Sequence, residues 1–254
     1  MILVLSGTKD GRDLVYKLYE RNYPLVVTTA TDYGKSLFDE SMELKVFSRR
    51  LSCDEMIEFM KDNKIKLAID GTHPYAEEAS KNISKACKTM KIPCIRYQRK
   101  KSSFKKYGDI IKWAEDYYKA AEILSKQDGK VLLTTGSKTL EVFTQKIPTQ
   151  RLVVRVLPLG SIIEKCEKLG FKPSNIIAMQ GPFSKEINME IIKKYGIDIL
   201  VTKDSGKIGG TEEKLEAAMN CGISVLMIAR PTQYTENVCS TIEEVINKVS
   251  EIYG

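Results

Sequence analysis

The chain is predicted to be an α/β protein with parallel sheets, arranged as two successive halves. Three observations carry this. Short β-branched apolar runs alternate with amphipathic segments, the alternation repeats along most of the 254 residues, and small polar or glycine-rich loops follow several of the runs. In such folds, ligands bind in the loops at the C-terminal ends of the strands. Residues 1–100 are expected to form one domain and residues 101–254 a second, divided by the basic run from Arg99 to Lys106.

In the first half, Ile2 to Leu5 read as a buried strand. Leu14, Val15, Leu18 and Tyr19 form a helical stripe, and Pro24 to Thr28 a second strand. The intervening Ser6-Gly7-Thr8-Lys9-Asp10-Gly11 has the shape of a nucleotide-binding turn without the full G-x-G-x-x-G pattern. The second strand runs into Thr28-Thr29-Ala30-Thr31 with no carboxylate. A site for NAD would place Asp or Glu there, so the sequence points to NADPH or to no adenosine at this position. Ser52-Cys53-Asp54-Glu55 is a capping box opening a helix, and Leu67 to Asp70 are a strand. In Gly71-Thr72-His73-Pro74-Tyr75, Pro74 is expected to open the helix carrying Ala76, Ala79, Ile83, Ala86 and Met90, which puts His73 at its N-terminus. Pro93 to Arg96 close the half as a strand.

In the second half, Val131 to Thr134, Leu152 to Val156, Ile176 to Met179, Ile199 to Thr202 and Ser224 to Ile228 are candidate strands. Ser161-Ile162-Ile163-Glu164 reads as another capping box, and the helix beginning at Thr241 is expected to pack on the second domain. The strand ends carry Thr135-Gly136-Ser137-Lys138, Gly181-Pro182-Phe183 and Lys203-Asp204-Ser205-Gly206, the last leading to a helix at Thr211. In that segment the free N–H groups of the helix and Lys203, Lys207 and Lys214 favour an anion. Phe183 is expected to offer an apolar face to a ring.

The composition is 43% hydrophobic and 29% charged, and no apolar stretch approaches the roughly 18 residues that span a membrane. Met1 to Leu5 lack the basic lead of a secretory signal, so the expected location is the cytoplasm. Six cysteines without a C-x-x-C pair and a single histidine argue against a metal site and against a disulfide framework. The net charge of +7 suits an anionic ligand. The basic run holds Phe104 as its one aromatic, so it reads as a solvated linker and no nucleic-acid partner is expected. Tyr97 and Lys101 have the Tyr-x-x-x-Lys spacing of short-chain dehydrogenases, but at a strand exit rather than on a helix.

Ser6-Gly7-Thr8, Asp70-Gly71-Thr72-His73-Pro74-Tyr75-Ala76, Thr134-Thr135-Gly136-Ser137, Gly181-Pro182-Phe183 and Thr202-Lys203-Asp204-Ser205-Gly206 with Gly210-Thr211 and Lys214-Leu215 resemble the precorrin-6A reductase family, including its cobalt-precorrin branch. The family usually begins Gly-Gly-Thr followed by Glu-Ala, and often has Asn where Asp204 stands. The resemblance implies two Rossmann-like domains with a ligand cleft between them. It implies NADPH-dependent reduction, with NADH the poorer cofactor, of one double bond in a tetrapyrrole bearing several carboxylates, a step of cobalamin biosynthesis. The implied cofactor contacts are Gly7, Thr8, Thr29, Thr72, Thr135, Gly136, Ser137, Gly181, Pro182, Phe183, Lys203, Ser205, Gly206 and Thr211. For the proton that accompanies the hydride, His73, Tyr75, Lys203 and Asp204 are the candidate donors, with water or a substrate propionate as alternatives. A non-catalytic NADP-binding regulatory module is the competing reading.

Overall fold

The computed structural model describes residues 1–98, 104–205, 209–231 and 237–253. Two compact units emerge, one of residues 1–100 with 232–254 and one of residues 101–231. The first half of the chain runs β1 (Ile2–Ser6), α1 (Lys9–Tyr19), β2 (Leu25–Thr29), α2 (Asp32–Ser36), β3 (Lys45–Ser48), α3 (Cys53–Asp62), β4 (Leu67–Gly71), α4 (Glu77–Met90) and β5 (Cys94–Tyr97). The second unit contributes β6 (Ile111–Ala114), α5 (Tyr117–Ser125), β7 (Val131–Leu133), α6 (Leu140–Thr144), β8 (Leu152–Val156), α7 (Gly160–Lys168), β9 (Ile176–Ala178), α8 (Lys185–Tyr195), β10 (Ile199–Lys203), α9 (Thr211–Asn220) and β11 (Ser224–Ile228). β12 (Val238–Cys239) and α10 (Ile242–Tyr253) then return to the first unit.

Every strand pairing among the described residues is parallel. The sheets have the orders β3-β2-β1-β4-β5-β12 and β9-β8-β7-β10-β11-β6. Each therefore lays five consecutive strands as 3-2-1-4-5, the doubly wound order of dinucleotide-binding folds. The sixth position is filled out of sequence, by β12 in the first sheet and by β6 in the second. The strand order reverses between β1 and β4, and again between β7 and β10; these are the switch points at which α/β sheets open a ligand crevice.

Alternation along β1 shows how the layers are held. Ile2 and Val4 face Leu14, Leu18 and the α10 residues Val245 and Val249, while Leu3 and Leu5 face Met56, Met60, Ile83 and Ala86. In the second unit Leu132, Val153, Leu200 and Met227 pack beneath Ile191 and Ile192 of α8 and Leu215 and Ala218 of α9. Local chemistry sets the helix ends. The Ser52 box forms in full, Ser52 N–H donating to Glu55 Oε2 at 2.8 Å and Glu55 N–H to Ser52 Oγ at 3.3 Å. Asp116 Oδ1 caps α5 through Lys119 N–H at 2.7 Å, and Gly196, at φ +59°, ends α8.

Three expectations are corrected. The terminal helix α10 belongs to the first unit, because Val245, Ile246 and Val249 complete the apolar face begun by Ile2 and Val4. The Ser161 box does not form: α7 already begins at Gly160, with Leu159 as its N-cap and no side-chain cap bond. Pro74 does not open α4. Residues 73–76 form a turn closed by Ala76 N–H to His73 O at 2.8 Å, and the helix begins at Glu77 with Ala76 as its N-cap.

Gly11, in the first turn of α1, packs directly on the neighbouring strand. A Cβ there would lie 2.8 Å from the Gly71 carbonyl oxygen and 2.9 Å from Ser6 Oγ. The backbone partner cannot rotate away. Gly11→Ala is therefore expected to destabilise the fold by about 1–3 kcal/mol, a fall in Tm of roughly 2 °C or more by thermal unfolding, whereas Gly7→Ala, with open space at its Cβ position, should leave Tm nearly unchanged.

Candidate active site

At the switch point of the first unit, Thr8 caps α1, its Oγ1 accepting from Gly11 N–H at 3.0 Å. A shallow pocket there is lined by Thr8, Asp10, Gly71, Thr72, Pro74, Tyr97 and Gln98. Beneath it lies a buried ion pair, Arg96 with Asp70, the side chains 4% and 2% exposed. Asp70 Oδ1 also accepts from Thr72 N–H at 3.1 Å and Thr72 Oγ1 at 2.7 Å. Arg96 Nη1 donates to Thr72 Oγ1 at 2.9 Å and Ser80 Oγ at 3.2 Å, and its Nε to Gln98 Oε1 at 3.3 Å. This network fixes the start of the Thr72–Tyr75 loop. His73 Nδ1 accepts from Tyr75 N–H at 3.2 Å, which leaves Nε2 to carry the proton of the neutral ring, and the two rings lie 5.5 Å apart. At the outer edge, Thr29 is buried, its Oγ1 donating to Thr31 O at 3.0 Å. Arg49 N–H donates to Thr29 O at 2.9 Å, which brings the exposed Arg49 and Arg50 to the end of β2.

The second unit gathers cations at its own switch point. Lys203 Nζ donates to Thr135 O at 3.3 Å. Burial lowers this lysine to about 8, with Lys138 contributing repulsion. Lys214 Nζ donates to Gly209 O at 3.0 Å. It is pulled down to about 7, by burial first and then by the positive charges of Arg155 and Lys203, with Glu213 opposing. Thr211 Oγ1 accepts from Ser205 N–H at 3.0 Å and reaches Lys203 O at 3.4 Å, tying both ends of the loop together. Asp204 is closed off by Arg230 at 2.8 Å, both side chains under 5% exposed, so its carboxylate serves as a tether within the unit.

The expected site residues thus fall on two strand edges. Gly7, Thr8, Thr29, Thr72, His73 and Tyr75 lie on the first unit; Thr135, Gly136, Ser137, Gly181, Pro182, Phe183, Lys203, Asp204, Ser205 and Thr211 lie on the second. Gly206 and Lys207 fall outside the described residues, as does Lys101, while Tyr97 lines the pocket of the first unit. Gly136 has φ +90°, which favours glycine. Phe183 is half-buried, with the Arg155 guanidinium 4.1 Å from its ring centroid and Gly181 so close that a Cβ would lie 2.9 Å from Cε2. The ring expected to face a ligand is therefore already stacked on a cation. Reading by motif missed Arg96, Arg155 and Arg49, whereas it singles out Lys214 beside the anion-favouring loop. For the first two a signal was present: a lone arginine inside the apolar strands Cys94-Ile95-Arg96-Tyr97 and Leu152-Val153-Val154-Arg155-Val156.

Residues 1–250 match the family model described as precorrin-6x reductase CbiJ/CobK. A cobalt-precorrin-6A reductase of Priestia megaterium is 41% identical over 250 residues, covering 97% of each chain. The enzyme of that name from Salmonella typhimurium is 36% identical over 91% of this chain and 88% of its own, and a precorrin-6A reductase of Rhodococcus erythropolis is 28% identical over 91% and 89%. Among solved structures, CobK precorrin-6A reductase superposes with a TM-score of 0.81 at 22% identity, over 99% of this chain and 96% of that one, which shows a shared fold.

Charge burial makes a prediction about pH. An unfolded lysine keeps its proton to about 10.5, whereas Lys214 in the fold releases it near 7. Between those values the unfolded chain binds more protons, so this lysine's contribution to stability improves as pH rises. Lys214→Met is expected to melt higher than the parent at about pH 6.5, with the difference shrinking toward pH 9. A difference independent of pH would show that Lys214 does not change charge in this range.

Proposed function

Because the chain belongs to the precorrin-6x reductase family, we propose that it reduces one carbon–carbon double bond of cobalt-precorrin-6A with NADPH, as an oxidoreductase of cobalamin biosynthesis. The 41% identity to the Priestia megaterium enzyme, sustained over 97% of both chains, carries this reading. The cobalt form is favoured because the relatives at 34–41% identity bear that name, as does one at 25%, whereas those named for precorrin-6A stand at 28%. A cytoplasmic location accords with a reaction that draws on a soluble nicotinamide cofactor.

NADPH, when bound, supplies the hydride. The first unit fits a dinucleotide phosphate on two counts. Gly11 lets α1 begin hard against β4, which sets the free N–H groups of that helix beside Thr8 and Thr72. Where an NAD site would present a carboxylate, β2 ends in Thr28 and Thr29, with Arg49 and Arg50 alongside. A carboxylate there would repel a 2′-phosphate; two guanidiniums attract it. The Asp70–Arg96 pair, by fixing Thr72, holds the His73–Tyr75 turn in register with this edge. His73 at Nε2 and Tyr75 at its phenol are half-exposed and suited to hold a proton for transfer, whereas Asp204, sealed by Arg230, suits a structural role.

Anaerobic incubation with NADPH and cobalt-precorrin-6A, followed by the macrocycle spectrum, tests the reading; no spectral change with active-site-intact protein would overturn it. Cofactor choice is tested separately by replacing Arg49 and Arg50 together with Ala. A charge-assisted hydrogen bond is worth roughly 1.5–3 kcal/mol, so NADPH affinity should fall about tenfold or more while NADH affinity stays level. Equal losses for both cofactors would remove the arginines from 2′-phosphate recognition.

A further inference from the structure

Two buried cations at the C-terminal edge of the second sheet face no acid that pairs with them. Arg155, the penultimate residue of β8, is 7% exposed. Its Nη1 donates to Asn188 Oδ1 at 2.8 Å, and its guanidinium lies over the Phe183 ring. Lys214, on the first turns of α9, is also 7% exposed and donates to the Gly209 carbonyl. Both sets of partners are neutral, and among the described residues neither side chain forms an ion pair. Glu213 alone pulls in the opposite sense on Lys214, as the least of the four influences on it, and Glu213 Oε2 is itself buried without a hydrogen bond.

Everything else here opposes positive charge. Burial depresses both groups, Arg155 to about 10, and the positive end of the α9 dipole adds to the penalty on Lys214. Buried charges are ordinarily paired. A cluster this poorly compensated is at its most stable with an anion present, and the Arg155 fork held by Asn188 is already oriented to bind one.

The surroundings indicate what carries the anion. Leu157, Leu159 and Met179 are 36%, 38% and 42% exposed at the ends of β8 and β9, and Met179 N–H donates to Val156 O at 3.0 Å, joining the two strand ends. Large apolar side chains exposed beside buried cations suit a broad apolar ring edged with carboxylates.

We infer that Arg155 and Lys214 seat an ionised carboxylate of the macrocyclic substrate, with Leu157, Leu159 and Met179 as the apolar floor under its ring. The inference rests on the proposed reaction and adds to it the part of the chain that recognises the substrate. Phosphate shares this acid chemistry, so the test separates the two ligands.

Arg155→Gln, Lys214→Met and Leu157→Asp are compared with the parent for NADPH binding and for KM toward cobalt-precorrin-6A, with melting curves alongside. The expected result is a KM raised tenfold or more in all three, NADPH affinity within threefold of the parent, and partial recovery of KM in Lys214→Arg. A loss of NADPH affinity at unchanged macrocycle KM would place a cofactor phosphate on the two cations and overturn the assignment. Parent-like constants in Lys214→Met and Leu157→Asp would overturn it as well, even if Arg155→Gln fails to fold. A parent protein that reduces no macrocycle would sink the proposed reaction; a parent that turns over normally beside unaffected variants sinks the seat alone.

Discussion

A sheet made only of parallel strands has to be covered on both faces, because each strand of such a sheet is buried on both sides. That requirement organises both units. It makes β1 apolar at every inward position, with Ile2 and Val4 answering one helical layer and Leu3 and Leu5 the other. It also makes each connection a crossover, so the loops that follow the strands gather at one edge of each sheet, leaving the opposite edge to the returning chain. Polar residues collect at that edge because it is the part of the sheet the helices do not cover.

The two edges solve the problem of buried charge differently. In the first unit Asp70 and Arg96 neutralise one another, and Thr72, Ser80 and Gln98 satisfy the remaining donors and acceptors. A pair so complete gives rigidity, and its product is a fixed Thr72–Tyr75 turn. In the second unit Asp204 and Arg230 make a comparable pair, yet among the described residues Arg155 and Lys214 have amide, carbonyl and aromatic partners only. The first arrangement is complete in itself, whereas the second is stabilised by anionic company. Within one chain, the contrast distinguishes charge used to hold structure from charge reserved for a ligand.

Glycine has distinct work at the two edges. Gly11 is required for contact, since its missing Cβ is what lets α1 approach the Gly71 carbonyl; Gly136 is required for conformation, at φ +90° in open space. Gly181 belongs with the first kind, lying against the face of Phe183. Such positions restrict substitution without touching a ligand, so a glycine-rich strand end says that the backbone comes close to something before it says what.

The sequence by itself determined the α/β class, the principal strands and the family, because buried parallel strands are continuous apolar runs and the loops between them carry their motifs contiguously. It left out the short edge strands β3, β6 and β12, whose few residues have too little apolar pattern to register. Only the tertiary structure decided where α10 packs, since an amphipathic stripe specifies that a helix is buried and leaves open against which sheet; here the partner lies more than two hundred positions away, at Ile2 and Val4. The sequence placed Lys203 and Lys214, with Lys207, at an anion-favouring loop, but only the tertiary structure showed that Lys203 and Lys214 are desolvated there. The reason is physical. Desolvation and the approach of a second charge, Arg155 on a different strand, are properties of three-dimensional neighbourhoods that no linear spacing encodes.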